Sequence, residues 1–192
     1  MARIVRMGVL VVLSSLLYTS NAAAHCDSMD GPVVKAAQRA LAQGDVAHAL
    51  VWVKADHEQE IRKAFEQTVA VRKHGGVAAE MAERWFFETL VRVHRDGEGE
   101  PFTGLKPAGY YNDPAYVAAD RALETGSFDL LAKIPEHVGA KLRQLHAQAV
   151  EARKFAPTDL AAGRKYVARY AEYVHYVEQI ARLSHTDAAH QH

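Results

Sequence analysis

The sequence predicts an all-α protein, a duplicated four-helix unit forming a pseudo-two-fold helical bundle. Three observations predict it. Apolar residues recur at the helical period in four long segments, and no segment alternates apolar and polar residues as a half-buried strand does. In addition, residues of the first half return in the second at a constant spacing. Pro32, Ala36, Ala37, Arg39, Ala40, Leu41 and Gly44 match Pro114, Ala118, Ala119, Arg121, Ala122, Leu123 and Gly126, each 82 positions on. Further along the spacing is 81, where Val69, Arg72 and Lys73 match Val150, Arg153 and Lys154, and Val93-His94 matches Val174-His175. One loop residue fewer explains the change. A period this long indicates two copies of a unit and not a solenoid.

The elements follow in order. Residues 1–24 read as a signal peptide: Arg3 and Arg6 precede an apolar run from Met7 to Leu17, and Ala22-Ala23-Ala24 places the cut before His25. The first repeat, residues 25–95, opens with Asp30 and Pro32 as cap and first-turn proline of a helix over 33–43 that ends at Gly44. Asp45 starts a short second helix. Asp56 caps a third, to about residue 73, with Ile61, Phe65, Thr68 and Val69 on one face, and His74-Gly75-Gly76 breaks it. A fourth spans about 77–95, with Ala82, Phe86, Leu90 and Val93 at helical spacing. Residues 96–113 are too apolar for a free linker and too rich in glycine and proline for a helix. They predict an ordered crossover, with Arg95, Glu98 and Lys106 available for polar contacts. The second repeat, 114–184, predicts helices over 114–125, near 128–133, over 135–154 and from 158 to about 183, followed by a frayed tail over 185–192.

Bulk properties narrow the function classes. The chain has 23 Lys and Arg against 23 Asp and Glu, and the leader carries two of the arginines and no acid, so the mature surface is mixed in sign and slightly acidic. It offers no footprint for nucleic acid, and with the leader gone no segment is apolar enough for a membrane span. Oligomeric state is left open. A single cysteine in an oxidising compartment cannot close an internal disulfide, which makes it a candidate ligand. No serine-nucleophile motif, phosphate-cradling glycine loop or zinc-type cysteine pair is present, and His57 in its acidic stretch lacks the second histidine of a zinc-protease helix.

Chemistry concentrates at the new amino terminus. An N-terminal histidine offers a metal its α-amine and a ring nitrogen together, and Cys26 adds a thiolate; this donor set favours the square-planar or tetragonal ions copper and nickel. His25-Cys26-Asp27-Ser28-Met29-Asp30-Gly31 resembles the hook that opens mature nickel superoxide dismutase. The resemblance covers seven residues, of which His25, Cys26, Asp27 and Gly31 match. It implies amine and imidazole ligation by His25 and thiolate ligation by Cys26, but Asp30 stands where the second cysteine belongs. Copper is therefore placed first, nickel second, with zinc as a structural alternative. Across its mature length the chain is similar to an uncharacterised family of bacterial exported helical proteins, through the His-Cys-Asp start, Phe86-Phe87-Glu88-Thr89-Leu90-Val91-Arg92 and the Gly97 to Pro107 crossover.

His94 and His175 are the second candidate pair. They hold equivalent places in the two copies, so a pseudo-two-fold axis would bring them toward each other and toward the amino terminus, restoring donors lost with the second thiolate. Glu172 stands three residues before His175, as in the Glu-x-x-His pairs of di-iron bundles, but Val91 replaces that carboxylate in the first copy. The aromatic side of the last helix, Tyr166, Tyr170, Tyr173 and Tyr176, reads as packing. Two function classes follow. The leading one is a periplasmic or secreted metal-binding protein with a site at His25, Cys26, His94 and His175, acting as a copper- or nickel-dependent oxidoreductase on a small oxygen species. The other is a non-catalytic helical binding or scaffold protein.

Overall fold

A computed structural model describes residues 25–111, 114–128 and 136–189 of the chain; the leader, His190 and His192 lie outside them. The described residues are all-helical. Their order is α1 (Pro32–Gln43), α2 (Ala47–Leu50), a 3-10 turn (Ala55–His57), α3 (Glu58–Arg72), α4 (Gly76–Glu98), α5 (Pro114–Thr125), α6 (Glu136–Ala152) and α7 (Leu160–Ala189). No helix among them is long and apolar enough to cross a membrane.

Each boundary has a local cause. Pro32 sits in the first turn of α1, where its missing N–H costs nothing, and Gly44 closes the helix in the left-handed conformation at φ 68°. Asp30 is not the cap: Gly31 is, and the Asp30 carboxylate accepts a bond from Gly109 N at 2.9 Å. Asp56 also fails to cap α3, because the turn at Ala55–His57 moves the start of that helix to Glu58. Gly75 and Gly76, at φ 69° and 54°, reverse the chain between α3 and α4. Helix α4 runs to Glu98, past the expected end at residue 95, and α7 runs to Ala189, past 183. The short helix expected near 128–133 falls mainly outside the described residues.

Helices α3 and α4 form one antiparallel hairpin and α6 and α7 another; α1 packs on α2 and α4, while α5 packs on α7 and α6. A continuous core joins them, with Val33, Leu50, Ile61, Phe86, Leu90, Leu142 and Tyr173 fully enclosed. The periodic residues Ile61 and Phe65 of α3 and Phe86 and Leu90 of α4 meet in it, Phe65 and Phe86 edge to face at 5.8 Å.

The two halves are clasped by Arg164 of α7, which donates to Val53 O at 2.8 Å and to Glu58 Oε1 at 2.5 Å. Beside it α7 presses so closely on the α2 turn that a Cβ on Gly163 would lie 2.3 Å from Val51 Cγ1. The bond from Arg164 holds the Glu58 carboxyl below its ordinary value. A depressed carboxyl stabilises the fold above its unfolded value, near 4.5, and that contribution is lost as pH falls below it. Urea unfolding of Glu58→Gln should therefore differ from the parent by about 1 kcal/mol at pH 7, and the difference should shrink as acid protonates the carboxyl.

Candidate metal centre

Residues 25–31 curl into a hook at the seam between the halves. His25 to Asp27 make one 3-10 turn, Ser28 pairs with Lys106 as an isolated bridge, Lys106 N donates to Asp27 O at 2.9 Å and Met29 N to Lys106 O at 3.0 Å. The crossover is thus what positions the hook. Gly31 N closes it by donating to Ser28 O at 2.9 Å. A Cβ on Gly31 would stand 2.3 Å from His25 O and 3.0 Å from Ser28 O, both rigid main chain, so this motif glycine is explained by close approach. Gly31→Ala should displace the His25 turn and cost about 1–3 kcal/mol, read as a lower unfolding midpoint with chemical-shift changes centred on residues 25–31.

Below the hook lies an ion pair almost out of water. Arg95 Nε stands 3.4 Å from Asp27 Oδ1, with side-chain exposures of 6% and 1%, and Arg95 Nη1 donates to Glu98 Oε2 at 3.0 Å. Burial pushes the Asp27 carboxyl up to about 6 in spite of Arg95 and Lys106.

All four residues proposed from the sequence line one small cavity. His25, Cys26, His94 and His175 enclose it together with Trp52, Glu98 and Tyr170, and its volume is about 20 Å³. That is room for one water molecule or one bare ion. The first half supplies Trp52, His94 and Glu98, and α7 of the second supplies Tyr170 and His175. Among the described residues no three His, Cys, Asp or Glu side chains form a metal-binding group.

The rings are held differently. His94 Nδ1 is 2.8 Å from Trp52 O, a carbonyl that can only accept, so Nδ1 carries the proton. Nε2 then bears the lone pair; it is buried without a hydrogen-bond partner and lies 3.5 Å from Glu98 Oε1. Burial holds His94 below the usual imidazole range, against the pull of Glu98 and Trp52 O. His25 stacks on Tyr116 at 5.7 Å and 9°, with Nε2 3.5 Å from Asp120 Oδ2 and a buried Nδ1 lacking a partner. Asp120 is itself fixed, accepting from Tyr170 OH at 2.9 Å. His175, by contrast, is exposed at the cavity rim and borders an outer depression with Glu172 and Tyr176. The pairing of His94 with His175 is thus unequal, one enclosed and one at the mouth.

Cys26 is partly buried against the core. Desolvation, then the carboxylates of Glu98 and Asp27, push its thiol far up, so it stays protonated at neutral pH unless a cation arrives. Asp30, in the position of the hook's second cysteine, is exposed and tied to Gly109, away from the cavity.

Besides Tyr170, which read as packing, three residues escaped the sequence reading as parts of this site. Glu98 had a usable signal, since it lies one helical turn after His94. Asp120 had a fainter one: its counterpart 82 positions earlier is Gln38, a departure inside the best-matched block. Trp52 had none, because its contribution is a main-chain carbonyl.

A family model matches residues 30–176. The chain belongs to DUF6448, a family of unknown function. The match takes in His94, Glu98, Asp120 and His175, and His25 and Cys26 precede it. No curated protein and no solved structure is similar enough to match.

Proposed function

We propose that the chain is an exported, periplasmic or secreted copper protein in which cleavage after Ala24 frees His25 as the first residue. One ion is held by the His25 α-amine and Nδ1, by His94 Nε2 and by the Cys26 sulfur, with Glu98 alongside and His175 at the entrance. The observation that carries this reading is the pair of buried ring nitrogens without hydrogen-bond partners, His25 Nδ1 and His94 Nε2, on two residues that line one cavity. Buried polar atoms are nearly always satisfied, so two orphans at one place call for an explanation. Two acceptors, His94 Nε2 and the Glu98 carboxylate, face each other at 3.5 Å; burial opposes a proton between them, and a metal cation relieves the repulsion.

The remaining ring contacts fit ligation. A metal-bound histidine ordinarily gives its other nitrogen to a carbonyl or carboxylate, the roles of Trp52 O for His94 and Asp120 for His25. The nitrogen left on His25 is the one that closes a six-membered chelate with its own amine. Asp27, Glu98 and Asp120 outnumber Arg95 nearby, a balance that favours a cation. Copper leads nickel because Asp30 points its carboxylate to Gly109 and leaves the second sulfur unreplaced; zinc, which prefers a closed tetrahedral set, comes third.

The reaction proposed is one-electron exchange with a small oxygen species of the superoxide type, for which a copper ion held by His25, Cys26 and His94 would supply the redox chemistry and His175 would stand at the entrance. A cavity of about 20 Å³ is filled by the ion itself, so a substrate would meet it from the His175 side. The test is metal analysis of protein exported from its native host, followed by copper(II) titration. One equivalent of copper, a visible thiolate-to-copper band that vanishes in Cys26→Ser, and superoxide consumption support the proposal. Protein without copper, or a spectrum indifferent to Cys26, overturns it.

We also infer that the scaffold is a duplicated unit. Arg72 donates to Leu41 O at 3.0 Å and its counterpart Arg153 to Leu123 O at 2.5 Å, while Gly44 and Gly126 both take positive φ after helices of 12 residues. On this reading the site arose where the copies diverged, with His94 enclosed and His175 exposed, and with Asp120 in place of glutamine.

A further inference from the structure

A second cavity, a cleft of about 300 Å³, opens among α1, α2, α5 and α7 and shares Trp52 and Tyr170 with the metal centre. Its volume is at the lower end of the range for small-molecule pockets. Four of its lining rings form a chain of neighbours. Phe155 and Tyr166 have centroids 5.9 Å apart, Tyr166 and Tyr170 6.3 Å, and Tyr170 and Trp52 5.7 Å. Trp52 and Tyr170 are buried, while Phe155 and Tyr166 are part-exposed and offer the aromatic surface that a further flat ring can pack against.

The charges of the cleft are unevenly committed. Arg153 is occupied with the carbonyls of Leu123 and Glu124, and Asp120 with Tyr170 and His25. Lys35 and Arg39, on consecutive turns of α1, are exposed at the cleft, and among the described residues neither enters a hydrogen bond or ion pair. Lys35 lies within electrostatic reach of Asp120 and Arg39 of Tyr166, and two such cations without hydrogen-bond partners, four residues apart on one helix face, are spaced to share a single carboxylate. Glu124, the remaining carboxylate of the lining, is exposed and disfavours a ligand with a second negative charge.

We infer that this cleft binds a small aromatic monocarboxylate, its ring against Tyr166 and Phe155 and its carboxylate between Lys35 and Arg39. Each surface ion pair is weak alone, so selectivity comes from ring and charge recognised together. The inference stands apart from the metal reading and is tested with the metal removed.

The probes are indole-3-acetate and its neutral isostere indole-3-acetamide, titrated calorimetrically into the mature protein in EDTA. The acetate should bind one to one with a dissociation constant of about 1 mM or tighter, the scale set by roughly 0.3 kcal/mol for each of its non-hydrogen atoms. The acetamide should bind about tenfold more weakly, matching the loss of one charge-assisted contact. The double variant Lys35→Gln, Arg39→Gln, whose positions are exposed and outside the core, should bind the acetate no better than the amide, and Tyr166→Ala should weaken both probes. Equal binding of the two probes, unchanged acetate binding by the double variant, or no saturable binding up to about ten times the stated constant overturns the inference.

Discussion

A protein carrying one extra residue in front of His25 is expected to bind copper(II) at least roughly a hundredfold more weakly than the protein that starts there. Removing a group that merely orients a ligand typically costs 10–100-fold in metal affinity, and here two donors are affected at once. The added peptide bond turns the α-amine into an amide and opens the chelate that it forms with Nδ1. Imidazole, thiol and His94 all remain, so the loss reports the amine together with the chelate it would form. His94→Phe should cost a comparable factor by a different route, since it deletes Nε2 and keeps the ring volume beside Trp52, whose edge packs on His94 at 5.8 Å. Isothermal competition against a chelator of known affinity measures both. Asp120→Asn provides the graded control: it touches no ion, and its effect should stay within about 10–100-fold.

The second large effect is on stability. Arg95→Met should cost about 3–5 kcal/mol, because it strands a carboxylate with 1% exposure. Asp27 has no comparable substitute partner: Lys106 bonds to it only through the main chain, and the Lys106 ammonium, which acts on the carboxylate from a distance, donates to Thr103 O at 2.8 Å. Removing Asp27 at the same time, as Asp27→Leu with Arg95→Met, should recover much of the loss, since two well-packed apolar groups carry no desolvation penalty. Chemical denaturation of Arg95→Met, Asp27→Leu and the double variant at pH 7 reads the cycle. A single variant as stable as the parent would mean that the hook is not anchored by this pair.

The helices were legible from spacing alone. Phe86, Leu90 and Val93 recur at three and four residues and are all buried in α4, and the glycine breaks at 44 and 75–76 fall where the backbone takes positive φ. Caps were less so. Asp30 and Asp56 have the right chemistry for capping, but Asp30 is drawn to Gly109, 79 residues away, and a 3-10 turn displaces Asp56. Local preference is weak beside one tertiary bond. The lining of the candidate cavity divided along the same line: His25, Cys26, His94 and His175 could be picked out from residue type and matched position, whereas the tautomer of His94 depends on a carbonyl 42 residues earlier. No pattern in side chains encodes that carbonyl. The inequality of His94 and His175 was likewise hidden, because the repeat makes them equivalent in sequence and only the packing of α7 leaves one outside.

The most direct measurement is pulsed electron paramagnetic resonance of the copper(II)-loaded mature protein. Two distinct imidazole couplings are predicted, one lost in His94→Phe and the other altered when a residue is added before His25. A spectrum with no imidazole coupling, or one that both changes leave untouched, would contradict the assignment of the ion to this seam.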